Sequence, residues 1–222
     1  MIVPRYYENL SVLHENTMPA RAYYIPASKR MDNLVEHREE SDRMQLLNGT
    51  WKFQYFNSIY DIQDSFFEKN YDTENFDEIQ VPSVWQMAGY DTHQYTNIRY
   101  PFPFDPPYVP QDIPCGVYVH TFEYSRDEKA PKSFLNFEGV DSCFYVWING
   151  SYIGYSQVSH MTSEFDVTDV LQDGTKQNLF LLSLSIPVYQ LLHCMYIGVH
   201  LLICLHHCPA YDRNSCRLST QL

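Results

Sequence analysis

The sequence predicts an all-β protein whose antiparallel strands form a jelly-roll β-sandwich. Three observations lead to this prediction. Apolar and polar residues alternate with a period of two in short segments, an Asn-Gly pair separates two aromatic runs, and the chain has no strand–helix–strand rhythm. Aromatic residues make up 16% of the chain and include 19 tyrosines, which also favours strands.

The first element is an irregular segment, predicted for residues 1–45 because three spaced prolines and a mixed-charge run interrupt any regular pattern. The jelly-roll domain is predicted for residues 46–178. Its first clear strand is LNGTWKFQYF, in which Trp51, Phe53 and Tyr55 share one face and polar side chains the other.

Further strands are predicted for GVYVHTFEY (residues 116–124) and SFLNFEGV (residues 133–140). The segment CFYVWINGSYIGYS is predicted to be a hairpin. Its Asn149-Gly150 pair suits the type I′ turn, whose twist matches that of the two strands it joins.

The charge of the chain limits its partners. A formal net charge of −12 argues against nucleic acids and anionic membrane surfaces, which both attract clustered Lys and Arg. The N-terminal sequence has no basic region followed by an apolar stretch, so we expect a cytoplasmic protein. In that compartment Cys115 and Cys143 are expected to be free thiols.

The composition changes abruptly near Asn178. Residues 179–222 form an apolar tail with four of the six cysteines and four of the nine histidines, and its only charged residues are Asp212, Arg213 and Arg217. No Gly- or Ser-rich linker precedes it, so it does not resemble an ordinary domain boundary. We therefore expect the sandwich to be incomplete at its C-terminal strands.

Three interpretations of the tail remain open. The first is a frameshift, an unspliced intron or a chimeric join. The second is a membrane span over residues 186–205, which are uncharged and about one bilayer in length but contain a proline and two histidines. The third is a metal site, whose ligands would come from His193, Cys194, Cys204, His206, His207 and Cys208.

The segment QYTNIRYPFPFDPPYVP, residues 94–110, contains five prolines and five aromatic rings. Proline fixes φ and removes a backbone donor, so this segment can be neither a helix nor a central strand. It is either a solvated polyproline ligand or a stiff loop whose rings pack onto the domain.

Several segments together resemble the N-terminal sugar-binding jelly roll of glycoside hydrolase family 2 β-galactosidases. They are, in the family's order, RAYYIP, LNGTWKFQYF, VPSVWQMAGYDTHQYTNIRYPFPFDPPYVP and FEGVDSCFYVWINGSYIGYSQVSHMTSEFDVT. The resemblance covers about four fifths of the chain, from Tyr6 to Asn178. It implies a galactose-binding-domain-like fold.

The resemblance also implies a much longer parent enzyme. In the family a TIM barrel carries the two catalytic glutamates, with magnesium and a sodium or potassium ion nearby, and terminal β-galactosides such as lactose are hydrolysed with retention. No barrel segment occurs in these 222 residues. We therefore expect no catalytic residue and no cofactor in this chain, and its partners would be the remaining β-galactosidase domains.

Two residues of the proline-rich segment are implied to bind the substrate. In the family, the asparagine that corresponds to Asn97 contacts galactose hydroxyls and the residue at Ile98 lies beside it; an amide suits this role because it offers both donors and an acceptor. The alternative is that Asn97 only caps a turn. A family aspartate that contacts galactose after the next strand has no counterpart here.

Other polar and aromatic residues have structural explanations that compete with functional ones. Glu164 and Asp166 are two residues apart and could form a carboxylate pair, but turn and strand-edge roles are the simpler reading. His93 and His160 are isolated histidines. The three tryptophans could stack on sugars, although burial in the sandwich is the better expectation.

Two functional hypotheses follow from these residues. The first is a β-galactosidase N-terminal domain that supplies a loop to the galactose site and does not hydrolyse substrate by itself. The second is a non-catalytic module that binds carbohydrate or complements a separate chain carrying the barrel.

Overall fold

A computed structural model describes residues 3–63, 65–92, 105–158 and 161–185, and the backbone of residues 201–206. These residues form two packed antiparallel sheets. The strands are β1 (His14–Glu15), β2 (Met44–Leu46), β3 (Gly49–Phe56), β4 (Asp77–Val81), β5 (Cys115–Tyr124), β6 (Lys132–Phe137), β7 (Cys143–Ile148), β8 (Ser151–Gln157), β9 (Ser163–Asp166), β10 (Thr175–Leu184) and β11 (Leu201–His206). The fold is the predicted all-β sandwich.

The larger sheet has seven strands in the order β1-β8-β7-β10-β5-β3-β4, and the smaller sheet has four in the order β2-β11-β6-β9. The predicted hairpin is β7–β8. Asn149 and Gly150 have φ values of 52° and 84°, and two positive φ angles are the signature of the type I′ turn.

The space between the two sheets holds the main hydrophobic core. On β7, Phe144, Val146 and Ile148 point into this core and are buried. Phe144 contacts Phe137 of the smaller sheet, with ring centroids 4.8 Å apart. Burying one such side chain contributes roughly 1.5–3 kcal/mol to folding, so these contacts hold the two sheets together.

The opposite face of the seven-stranded sheet is also covered. The intervening residues of β7, among them Tyr145 and Trp147, belong to a second buried cluster on that face. Val3 and Phe66, from segments outside the sheet, pack against them. Because both faces are covered, β7 is apolar along its whole length and β10 is apolar from Leu179 to Leu184 apart from Ser183, rather than alternating.

Strand β10 lies at the centre of the larger sheet, where it pairs with β5 along its whole length and with β7 from Leu179 to Leu184. Leu184 is opposite Cys115 of β5 and also opposite Cys143 of β7. The composition change at Asn178 falls inside this strand, so it does not mark an edge of the sheet. The domain limits 46–178 and 179–222 themselves stay predictions.

The smaller sheet contains one strand from the apolar tail. β11 lies between β2 and β6, with Ile203 opposite both Gln45 and Leu135. We expected the sandwich to be incomplete at its C-terminal strands, and that expectation is wrong for this position, which β11 occupies. The reason is that LLICLH, whatever its origin, is an apolar run of strand length and can pair on both sides.

No helix within the described ranges is long and apolar enough to cross a membrane. Most of the candidate span, residues 186–200, lies outside the described residues, and its last part is in β11.

Candidate functional site at the base of the proline-rich loop

Asn97 and Ile98, the two predicted substrate-binding residues, lie outside the described residues, as do His93 and His160. The structure does describe both stems of the loop that carries them. The entry stem is residues 85–92 and the exit stem is residues 105–114. The geometry of these stems determines where the loop leaves the domain.

The entry stem begins with a short 3₁₀ turn, Trp85–Ala88, which ends at Gly89 in the left-handed conformation with φ 93°. The backbone N–H of Tyr90 then donates to the Trp85 carbonyl at 3.0 Å. The Tyr90 hydroxyl donates to Asp77 Oδ2 on β4 at 2.6 Å. Burial and this hydrogen bond to Asp77 raise the pKa of Tyr90 to about 12, so the phenol remains a donor at neutral pH.

Aromatic rings form a floor under the entry stem. Phe53 of β3 is at its centre, with its ring centroid 4.9 Å from that of Tyr90, 4.6 Å from Tyr118 and 6.0 Å from Trp85. Tyr55 completes the set and stacks on Tyr90 at 6.0 Å. We call these five side chains the loop-base rings.

Gly116 of β5 lies against the loop-base rings. A Cβ atom at this position would be 2.4 Å from Phe53 Cε2 and 2.8 Å from Trp85 Cζ3. A glycine in an otherwise apolar strand is the sequence sign of such a close approach. The rings therefore pack directly onto the backbone of the strand that follows the loop.

The exit stem is held by different groups. The Tyr108 N–H donates to the Asp105 carbonyl at 2.9 Å, and the Val109 N–H donates to Glu8 Oε1 at 3.4 Å. The Ser58 hydroxyl donates to the carbonyl of Gln111. Contacts from the N-terminal segment and from the segment that follows β3 thus fix the returning chain.

The end of β10 lies at the same edge of the domain. The Ser185 N–H donates to the Pro114 carbonyl, the last residue of the exit stem, at 3.0 Å. Ser185 therefore lies beside the end of the exit stem.

The carboxylate pair considered above is structural in this fold. Glu164 is buried and forms an ion pair with Arg21, and Asp166 forms one with Lys132 Nζ at 2.8 Å. Each carboxylate is thus paired with its own cation, as expected for strand-edge residues with a structural role. Burial was also the right expectation for the three tryptophans, whose exposed fractions are 1% (Trp51), 5% (Trp85) and 3% (Trp147).

The described part of the chain offers no donor set for a metal ion: it contains no group of three or more His, Cys, Asp or Glu side chains that could bind one. The tail residues considered as zinc ligands lie outside the residues whose side chains are described. Cys115 and Cys143, predicted as free thiols, are free and buried.

Comparison with known proteins adds the family to this geometry. Residues 44–198 match the family model described as the sugar-binding domain of glycosyl hydrolases family 2. The chain belongs to glycosyl hydrolase family 2. The β-galactosidase of Actinobacillus pleuropneumoniae is 49% identical over 175 residues, and that of Staphylococcus xylosus is 45% identical over 175 residues.

The match covers only part of these family members. It takes in 79% of this chain but 17% of the A. pleuropneumoniae protein, and 78% of this chain but 17% of the S. xylosus protein. The chain therefore spans about a sixth of the length of the relatives it matches.

Solved structures agree on the fold of the family 2 domain. A β-glucuronidase from the same family superposes with a TM-score of 0.52 at 18% identity, covering 72% of this chain and 17% of that chain. A family 2 member from Bacteroides cellulosilyticus gives a TM-score of 0.50 at 18% identity, covering 73% of this chain and 20% of that chain. The jelly-roll prediction is thus confirmed.

Sequence reasoning did not identify Tyr90, Asp77 or Gly116 as parts of this site. Gly116 carried a usable signal, since glycine is uncommon inside an apolar strand. The Tyr90–Asp77 contact carried none, because it joins a loop stem to an edge strand through tertiary structure alone.

Proposed function

We propose that this chain acts as the sugar-binding domain of a β-galactosidase and contributes the loop of residues 94–110 to its galactoside site. The observation that carries the proposal is the fixed loop base. Trp85 and Tyr90 of the entry stem pack on the rings of β3, and hydrogen bonds with Glu8 and Ser58 hold the exit stem. A loop whose ends are fixed in this way loses little entropy when it contacts a ligand.

In this proposal Asn97 donates to and accepts from galactose hydroxyls, and Ile98 provides an apolar surface beside it. The Asn side chain is chemically suited to this because its amide has two donor hydrogens and an acceptor oxygen, which match the hydroxyls of a hexose. A neutral group also leaves the field of nearby catalytic carboxylates unchanged.

The chemistry of hydrolysis is assigned to the part of the family proteins beyond this domain. Retention of configuration requires two carboxyl groups about 5 Å apart across the scissile bond. Magnesium and a sodium or potassium ion, implied for full-length family members, are likewise assigned to the remaining domains in this proposal. The chain by itself is then expected to bind but not to hydrolyse β-galactosides.

The test is to supply this chain to a β-galactosidase that lacks its own sugar-binding domain. The A. pleuropneumoniae relative, deleted for the aligned segment, would be co-expressed with this chain and assayed on a β-galactoside. We expect activity above that of the deleted enzyme alone. Asn97→Ala should lower kcat/KM by about tenfold, the equivalent of one lost hydrogen bond of ~1.4 kcal/mol.

Thr96→Ala provides the matched control for that substitution, because it changes a neighbouring polar residue in the same loop. Equal losses in the Thr96 and Asn97 variants would refute the specific role of Asn97. A mixture with no activity above background would refute the supply of the loop in trans. Lactose binding without restored activity would favour the alternative of a non-catalytic carbohydrate-binding module.

A further inference from the structure

A small cavity lies beside the loop base, between the entry stem and the end of β10. Its volume is about 20 Å³, and it is lined in part by Ser83 and Trp85 before the loop, by Asp141, and by Ser183 at the end of β10. A cavity needs roughly 10–15 Å³ to hold one water molecule. The volume therefore fits a single water and excludes a sugar or a side chain.

Some of the polar groups that line this cavity have a hydrogen-bond partner, and one has none within the described part of the chain. Trp85 is 5% exposed, and its indole Nε1–H is buried with no acceptor among the described residues. A buried donor without a partner costs about 1–3 kcal/mol, so such a group calls for an acceptor. Because Trp85 lines the cavity, an acceptor placed there has to be small enough to fit it.

Two of the three serines that line the cavity donate their hydroxyl protons to backbone carbonyls. Ser83 Oγ donates to the carbonyl of Gln80, and Ser183 Oγ donates to the carbonyl of Asp141 at 2.7 Å. Each serine oxygen can therefore only accept a further hydrogen bond from an occupant of the cavity. The occupant must accept one bond from Trp85 and donate to two serine oxygens.

We propose that this cavity is a binding site for one water molecule, which accepts from Trp85 Nε1–H and donates to the oxygens of Ser83 and Ser183. A water molecule is small and neutral, and it can accept one hydrogen bond here while it donates two. About three hydrogen bonds are typical of buried water. A cation does not fit, because the indole N–H presents its positive end to the site. The water thereby connects the entry stem of the loop to the C-terminal end of strand β10.

The site does not depend on the proposed function, since it is defined by residues of the domain itself. Its test is water-to-indole cross-relaxation by NMR on the ¹⁵N-labelled full chain. Trp51 is an internal control, because its Nε1–H donates to the Leu47 carbonyl at 2.8 Å. We expect a cross-peak from a long-lived water at the Trp85 indole and a much weaker one at Trp51, with Trp85→Phe assigning the signal by its loss.

Two further variants test the bonding of the water. Ser183→Ala should weaken the Trp85 cross-peak and speed exchange of its indole hydrogen several-fold, whereas Ser133→Ala, a buried serine elsewhere, should leave both unchanged. The proposal is overturned if Trp85 shows no more water contact than Trp51, or if Ser183→Ala has no effect. A Trp85 indole shift that depends on the choice of sodium or potassium salt would also overturn it, in favour of a cation.

Discussion

Replacing Gly116 by alanine tests whether the loop-base rings pack as tightly as the structure shows. The added Cβ would lie 2.4 Å from Phe53 Cε2, 2.8 Å from Trp85 Cζ3 and 2.9 Å from Phe53 Cζ. Ordinary carbon contacts are about 3.5–4.0 Å. The Phe53 ring must therefore move by about 1 Å, and it has little room because it is fully buried.

The cost can be worked out from these contacts. Forcing a methyl group into a well-packed core costs typically 1–3 kcal/mol, and contact with two buried rings places this site near ~3 kcal/mol. Replacing glycine by alanine also stabilises the protein by about 0.4–1 kcal/mol, because alanine lowers the conformational entropy of the unfolded chain. The net loss is about 2 kcal/mol, which for a domain of this size lowers Tm by about 4–8 °C.

The assay is thermal and urea unfolding of Gly116→Ala, Phe53→Leu and the double variant. Phe53→Leu removes the ring atoms that collide with the new methyl group, so the double variant should be about 1 kcal/mol more stable than the sum of the single effects. Glu123→Ala, at an exposed position of the same strand, should change stability by less than ~0.5 kcal/mol. Additive single effects, or a Gly116→Ala loss below ~0.5 kcal/mol, would refute the packing argument.

Three further predictions concern other parts of the domain. Gly154→Ala should loosen β1 on the sheet, because a Cβ there would be 2.4 Å from the backbone carbonyl oxygen of Glu15 and 2.7 Å from Phe165 Cε1. Hydrogen exchange at Glu15 should rise more than exchange in the central strand β10. Burial lowers the pKa of His120, so its neutral form stabilises the fold above about pH 6.5, and that contribution is lost as pH falls through its folded pKa. His120→Phe should therefore make the free energy of unfolding depend less on pH below about pH 6.5. Burial also raises the pKa of the thiol of Cys143 to about 12 and raises that of Cys115, so iodoacetamide should alkylate both only after unfolding.

Each of these has a clear contrary result. Unchanged exchange at Glu15 would show that β1 tolerates the methyl group. A His120→Phe profile that still falls between pH 7 and 5 as in the parent would assign the titration elsewhere. Site-resolved mass spectrometry showing early alkylation of Cys143 would contradict its burial.

Local patterns predicted much of the fold. β3 and the β7–β8 hairpin were evident because period-two alternation and the Asn-Gly turn are properties of neighbouring residues. SFLNFEGV was predicted as a strand to residue 140, but β6 ends at Phe137. The covering of the outer face of the larger sheet was not predicted, because it depends on Val3 and Phe66 packing on strands far along the chain.

The candidate site was predicted less completely than the fold. The resemblance identified the loop, and the structure adds how its stems are held. The tail was treated as a unit because its composition changes at Asn178, yet pairing of β10 does not depend on charge content and continues to Leu184. The roles of Asn97 and Ile98 and the cytoplasmic location stay predictions.

The central position of β10 has a consequence for synthesis on the ribosome. Its two neighbours, β5 and β7, are made well before it, and roughly 60 residues separate the end of β5 from the end of β10. At 5–20 residues per second, β5 waits about 3–12 s for β10, and β7, which ends 36 residues before Leu184, waits about 2–7 s, each with a hydrogen-bonding edge unpaired. Nascent chains stalled in that interval present the edges at which aggregation begins, so chaperone binding should concentrate there and end when β10 emerges.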